Sequence, residues 1–392
     1  MAKSTRRYDL DWWRVIAIFA VYLHHIGMPF NGDGFHIMNA ESSKLLDDIM
    51  VFFEQFRLPL LFLVSGVGTV YAFSKRSWSQ FAGERAYRLL IPLVFGVFFI
   101  VPPQTFFEKK SEYASYWNFY QNIFSNIEVN HLWFIENLFY ISIFCIPLIL
   151  FLRSEKSKKM KSILEKVATN KYGMLLWAIP LIIIKIVSKK YYPDDSKSIE
   201  NLSSTLFYGF FFVAGIVMAV TPNIWASLKK YRKPNFIISL VIFILFYAYY
   251  YLPSDLASSY LSLSTRWDIW YGISSLLSWS LLITALGYGQ VWMNRQSKLL
   301  AKLNEAIYPF YILHQTVIVV FAYYVVQLDL SIGAKLLLLL FSTFPTIVIL
   351  YRFLVYPFKV TRLFFGMKQK KNVATDKKNL SRQLSSSKLN KF

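Results

Sequence analysis

The chain has 392 residues, 55% of them hydrophobic and 19% aromatic, with a formal charge of +21. So apolar a composition excludes an ordinary soluble domain and points to a membrane protein. The single cysteine, Cys145, excludes an intrachain disulfide and a cysteine metal site.

Ten apolar runs, near 10–28, 47–73, 88–107, 131–152, 172–188, 202–220, 235–252, 267–288, 307–327 and 332–355, are long enough, or nearly so, to cross about 30 Å of hydrocarbon as helices. Backbone facing lipid must satisfy its own hydrogen bonds, so the predicted fold is all-α: a polytopic membrane bundle of about ten transmembrane helices. The fifth run is the weakest, interrupted by Pro180 and Lys185. With the N-terminus inside, the inner segments hold 31 Lys and Arg residues and the outer loops 7. That bias predicts both termini in the cytoplasm. It also accounts for the charge, so no nucleic-acid partner is expected. No small-residue cleavage site follows the first run, which is expected to be a retained span. Residues 1–366 form the predicted membrane domain. Residues 367–392 form a basic tail of disorder-prone composition whose lysines could touch anionic lipid. The aromatic outer loop 106–130 reads as a segment on the membrane surface or as a substrate-facing lid.

Ionisable residues inside spans are costly unless paired or hydrated, so they mark candidate sites. The first run carries Arg14, His24 and His25. Arg14 and His25 are eleven residues apart, about 20° beyond three full helical turns, and lie about 16 Å apart along one face. His24 is rotated about 100° from that face. In the second run, Arg57 lies well inside "FRLPLLFLVSG" with Glu54 one turn earlier, and Pro59 predicts a kink. Ser65 and Gly66 would let another helix approach closely. The fourth run opens with "HLWFIEN" and places His131, Trp133 and Glu136 at the end where His25 lies. The ninth holds His314 within "NEAIYPFYILHQ". Lys185, Lys335 and Arg352 lie near span ends and are expected to snorkel. The few histidines lack ligand-like spacing, so no metal is expected.

These stretches resemble the acyltransferase-3 family of multi-pass membrane acyltransferases. The likeness is carried by Arg14 and His25 in "LDWWRVIAIFAVYLHH", by "FRLPLLFLVSG", by "RAYRLLIP" at 85–92, by "HLWFIENL" and by "AIYPFYILHQTVI". It runs in order along most of the chain and is nearest to the branch that succinylates a periplasmic glucan. The resemblance implies transfer of an acyl group, acetyl or succinyl, from cytoplasmic acyl-CoA to a carbohydrate hydroxyl outside. It implies a multi-pass protein of the cell membrane with acyl-CoA as donor substrate, no permanently bound cofactor, and glycan-assembly proteins as further partners. It makes Arg14 and His25 essential. On that reading His25 is the base or the acyl acceptor, Glu136 orients an imidazole, and His131 binds sugar or assists proton transfer. Arg14 handles the thioester arm, and Arg85 and Arg88 meet CoA phosphates. Arg57, Trp133 and His314 complete the expected substrate-binding set. The competing class is a transporter or flippase, which charged spans suit equally well. Against it, the sequence shows no paired short helices in two related halves.

Overall fold

The structure is a computed structural model and describes residues 6–74 and 76–368. The predicted disorder of the tail beyond 368 lies outside the described residues. Among the described residues the chain is helical and holds no strand. The elements used below are α1 (Tyr8–Asn31), α2 (Lys44–Glu54), α3 (Arg57–Phe73), α4 (Trp78–Glu108), α5 (Asn130–Phe144), α6 (Ile146–Arg153), α7 (Ala178–Tyr191), α8 (Leu202–Val220), α9 (Arg232–Tyr250), α10 (Leu263–Trp292), α11 (Lys298–Val325) and α12 (Ile332–Val355).

Among the described residues, eight helices are long and apolar enough to cross a membrane, or nine if the bent pair α5 and α6 is one span. The fifth predicted run supplies the short α7, whose 14 residues reach about 21 Å and cannot cross alone. A 3₁₀ turn, Leu175–Trp177, precedes it. Side-chain caps set several helix starts: Ser43 for α2, Asn201 for α8, Ser262 for α10, Ser297 for α11 and Ser331 for α12.

Two expectations about the second span are resolved by its geometry. Pro59 does not kink it. The helix breaks earlier, at Gln55–Phe56, and Pro59 sits in the first turn of α3, where its missing N–H would have no intrahelical partner anyway. Gly66 does permit close approach: a Cβ there would overlap the Phe212 carbonyl, and one on Gly215 would overlap the Leu63 carbonyl. α3 and α8 thus meet backbone to backbone through reciprocal glycines. α4 contains two π-helical turns, Ala86–Leu90 and Gly96–Ile100. π turns recur where a helix must re-aim side chains, and the first of these carries Arg88. The loop 106–130 folds into short helical turns around Phe106, Phe119 and Ile123, with Trp117 and Phe124 exposed.

Lys335 does not snorkel. It is buried, and its ammonium donates to Asn39 Oδ1 at 2.7 Å and to the Val326 carbonyl at 3.0 Å. Lys185 lies over the Phe207 ring, 4.6 Å from its centroid, on a cavity wall.

Candidate active site

Two cavities enter the bundle from opposite ends. The one at the end of α1 that holds Arg14 measures about 600 Å³. The one at the end that holds His25 measures about 840 Å³. On α1, Arg14 and Ile18 line the first, and Val21 and His25 line the second. That is the single helical stripe the spacing predicts. The side chain of Phe134, from the first turn of α5, lines both cavities and stands between them.

At the arginine end, α1, α3, α4 and α11 surround the cavity with Arg14, Arg85 and Arg88, joined by Lys368 from beyond α12. Arg85 donates to Thr69 Oγ1 at 2.6 Å, and Thr69 donates to the Ser65 carbonyl. Arg88 pairs with Glu84 at 3.0 Å, and Arg14 lies 3.7 Å from Asp11. Asn304 lines the same wall with neither amide atom hydrogen-bonded. The concentration of cations suits a polyanion such as a phosphorylated cofactor.

At the other end, all five histidines of the chain gather. His24, His25, His36 and His131 line the larger cavity, and His314 bonds to His25. A carbonyl oxygen only accepts, so a ring nitrogen facing one must carry the proton; this fixes the tautomers of His25, His131 and His314. His314 Nδ1 faces the Tyr311 carbonyl, which leaves Nε2 as its lone-pair atom. That Nε2 lies 3.1 Å from His25 Nδ1, which is also 2.9 Å from the Val21 carbonyl. His25 Nδ1 therefore carries the proton, and Nε2, with no partner among the described residues, is the bare nitrogen.

His131 is held differently. Its Nε2 donates to the Ile312 carbonyl at 3.0 Å, and Nδ1 faces the amide nitrogen of Gln104 at 3.4 Å. Gln104 also donates to Thr316 and accepts from Gln315, which in turn donates to His36 Nε2; His36 Nδ1–H then reaches Glu108. This network gives both nitrogens of His131 a protein partner, while its side chain also lines the larger cavity. A buried imidazole is most cheaply held by satisfying both nitrogens.

Two further residues lie away from the groups expected beside them. Glu136 meets no imidazole: it lines a separate cleft of about 420 Å³ with Glu128 and Glu200. The carboxylates beside histidines are Glu54, 3.5 Å from His24, and Glu108 at His36. His314 lines neither cavity and is 1% exposed, so it sits behind His25. His24 also borders the cavity, turned toward Glu54 and away from the face His25 shares with Arg14.

Arg57 and Trp133 do lie on the cavity wall. Arg57 is 3% exposed, its Nη2 is 3.5 Å from Glu54, and its Nε and Nη1 have no partner. Lys197, from the loop after α7, lines the same wall. Enclosure holds its pKa below the ordinary lysine value, opposed by Glu54 and reinforced by Arg57. Lys197, His36, Gln104 and Gln315 carry no periodic signal in the sequence. Only "HQ" at 314–315, two polar residues in an apolar run, hinted at one of them. Among the described residues, no three His, Cys, Asp or Glu side chains converge to hold a metal ion.

A bundle of membrane-length helices with polar cavities at both ends is a multi-pass membrane protein with a built internal site. Residues 7–352 match an acyltransferase domain, and the chain belongs to the acyltransferase-3 family. It is 24% identical over 234 residues to the glucans biosynthesis protein C of Escherichia coli strain K12, covering 57% of this chain and 60% of that protein. The proteins of the same name from strains O6:K15:H31 (536) and O1:K1 are likewise 24% identical, with the same coverage. The match thus spans about 60% of the length of these curated relatives. No solved structure matches this chain.

Proposed function

We propose that this protein is an O-acyltransferase of the cell membrane. It takes an acyl group, acetyl or succinyl, from acyl-CoA on the cytoplasmic, arginine-lined side and places it on a carbohydrate hydroxyl on the other side. The observation that carries the reading is the pair of opposed cavities meeting at Phe134, with Arg14 and His25 on one stripe of α1.

On this reading Arg85, Arg88 and Lys368 hold the donor's phosphates, and Arg14 guides the thioester arm toward Phe134. The acceptor enters the histidine cavity beside Trp133. His25 Nε2 removes the hydroxyl proton as oxygen attacks the thioester carbonyl. The C–O bond forms, the C–S bond breaks, and the same proton passes to the departing thiolate, leaving CoA and the ester. In a two-step route the bare Nε2 attacks the thioester first and the C–S bond breaks to release the CoA thiolate; the hydroxyl then attacks the acyl-imidazolium, the N–C bond breaks to restore His25, and the hydroxyl proton passes to the thiolate. Unpaired N–H groups of Arg57 are available for negative charge that develops on the carbonyl oxygen.

The test is purified protein in vesicles with labelled acyl-CoA on the side of Arg14 and glycan acceptors on the side of His25. Labelled ester on the acceptor with release of CoA is expected. Movement of a glycan or anion across the vesicle without acylation would replace this reading with a transporter.

A further inference from the structure

His314 is buried behind His25 and reaches neither substrate cavity. Its Nε2 accepts a 3.1 Å hydrogen bond from His25 Nδ1. We propose that His314 is the positioning residue of His25: a neutral imidazole that fixes the Nδ1–H tautomer and keeps Nε2 bare and aimed at the reacting atoms. The assignment rests on the reading of His25 as the reactive group.

The Val21 carbonyl cannot do this alone. It is the i−4 carbonyl of His25 and already accepts the helical backbone N–H. His314 Nε2 is an unshared acceptor, and it is anchored from several sides. Its Nδ1–H is fixed to the Tyr311 carbonyl. Tyr311 OH donates to the His131 carbonyl, and the His131 ring donates to the Ile312 carbonyl. The His131 ring stands edge-on to His314, centroids 5.2 Å apart at 89°. α11 and α5 are thereby stitched together around this one ring.

The choice of a neutral partner has a chemical consequence. In a serine-protease triad a carboxylate holds the base histidine and stabilises its imidazolium. Here the nearby carboxylates, Glu54 and Glu108, are turned to His24 and His36. An imidazolium at His25 held by a neutral acceptor remains a ready acid and returns its proton to the thiolate. Through both steps His314 keeps its own Nδ1 proton, and only Nε2 of His25 gains and loses one.

The experiment uses the full chain and two readouts. First, His314→Phe and His314→Gln are compared with wild type in acyl transfer. Gln can place an amide oxygen where Nε2 lies; Phe cannot. Phe should lower kcat by about 10²-fold or more with KM for both substrates little changed, and Gln should recover at least tenfold of that loss. Unchanged kcat in His314→Phe, a loss confined to KM, or equal loss in Phe and Gln variants that still bind acyl-CoA would overturn the assignment. Second, ¹⁵N NMR of histidine-labelled wild type, with His25 assigned by its absence in His25→Ala, should show Nδ1 protonated and Nε2 bare. The opposite tautomer overturns the assignment even if neither variant folds. A wild-type enzyme that transfers no acyl group would instead defeat the reading of His25 beneath it.

Discussion

Removing the ring that separates the two cavities should uncouple the enzyme. Phe134 is 6% exposed and meets Phe62 edge-on at 4.9 Å and Tyr311 at 5.6 Å. Truncating a buried Phe to Ala costs about 3–5 kcal/mol. Two sides of this ring already face open space, so the low end applies, about 3 kcal/mol, with about 1 kcal/mol lost from each aromatic pair. Phe134→Ala would also merge the cavities of about 600 and 840 Å³. Water would then reach a thioester held at the arginine end. The assay follows CoA release with and without acceptor, alongside the half-life of the protein at raised temperature. Wild type should release CoA chiefly when acceptor is present. Phe134→Ala should release it without acceptor and form less ester, while Phe134→Leu, which keeps most of the volume, should fall between. A Phe134→Ala protein as tightly coupled as wild type would mean that the ring is not the barrier and that donor and acceptor do not meet there.

Other expectations follow from single contacts. His25→Ala should lower turnover by about 10²–10⁴-fold, and His24→Ala much less at matched expression; equal losses would mean the wrong ring has been assigned. Arg14→Ala should raise KM for acyl-CoA or lower kcat, and Arg14→Lys should rescue it poorly because a planar fork is not replaced by a point charge; a fully active Arg14→Ala would return Arg14 to plain anchoring at the membrane face. Gly66→Ala drives a methyl into the Phe212 carbonyl. Backbone cannot retreat like a side-chain tip, so the cost should exceed about 2 kcal/mol and appear as a shortened thermal half-life, which an unaltered half-life would refute.

The stripe of α1 is legible in the sequence because one helix fixes it: the relation of Arg14 to His25 depends only on residues per turn. The close approach at Gly66 is legible for a similar reason, since small residues in a span have few other uses. What fails to show is partnership between helices. His131 and Glu136 share a span and so suggest a pair, yet each finds its contacts elsewhere, and the carboxylates at histidines come from α2 and the end of α4. Gln104 and Gln315 are uncharged and raise little alarm in an apolar run, although they join His36 to His131. The fifth run reads as a span from hydropathy, but Pro180 falls in the first turn of a helix that starts only at Ala178, and the remaining length is short. Pro59 misleads in the same way: proline marks a break, and the pattern alone does not say on which side.

The polar groups of the bundle divide by what they leave unpaired. The network in the wall of the histidine cavity, from His36 through Gln315 and Gln104 to His131, is hydrogen-bonded from member to member. Such a network is rigid, because breaking any link strands a buried group at about 1–3 kcal/mol. Among the described residues, buried side-chain atoms without partners fall on His24, Arg57, Ser275 and Asn304. Three of these four residues line the two cavities. A membrane interior offers no bulk water to repair such defects, so they persist only where something else supplies the bond. His24 Nδ1 is an acceptor or a donor according to its proton, Arg57 offers three N–H groups on two nitrogens, and Asn304 offers an amide nitrogen with two N–H donors and a carbonyl oxygen that accepts. Linked side chains in the wall beside unpaired ones that face the cavities are the arrangement expected of the proposed site, in which an imidazole is held still while two substrates are admitted.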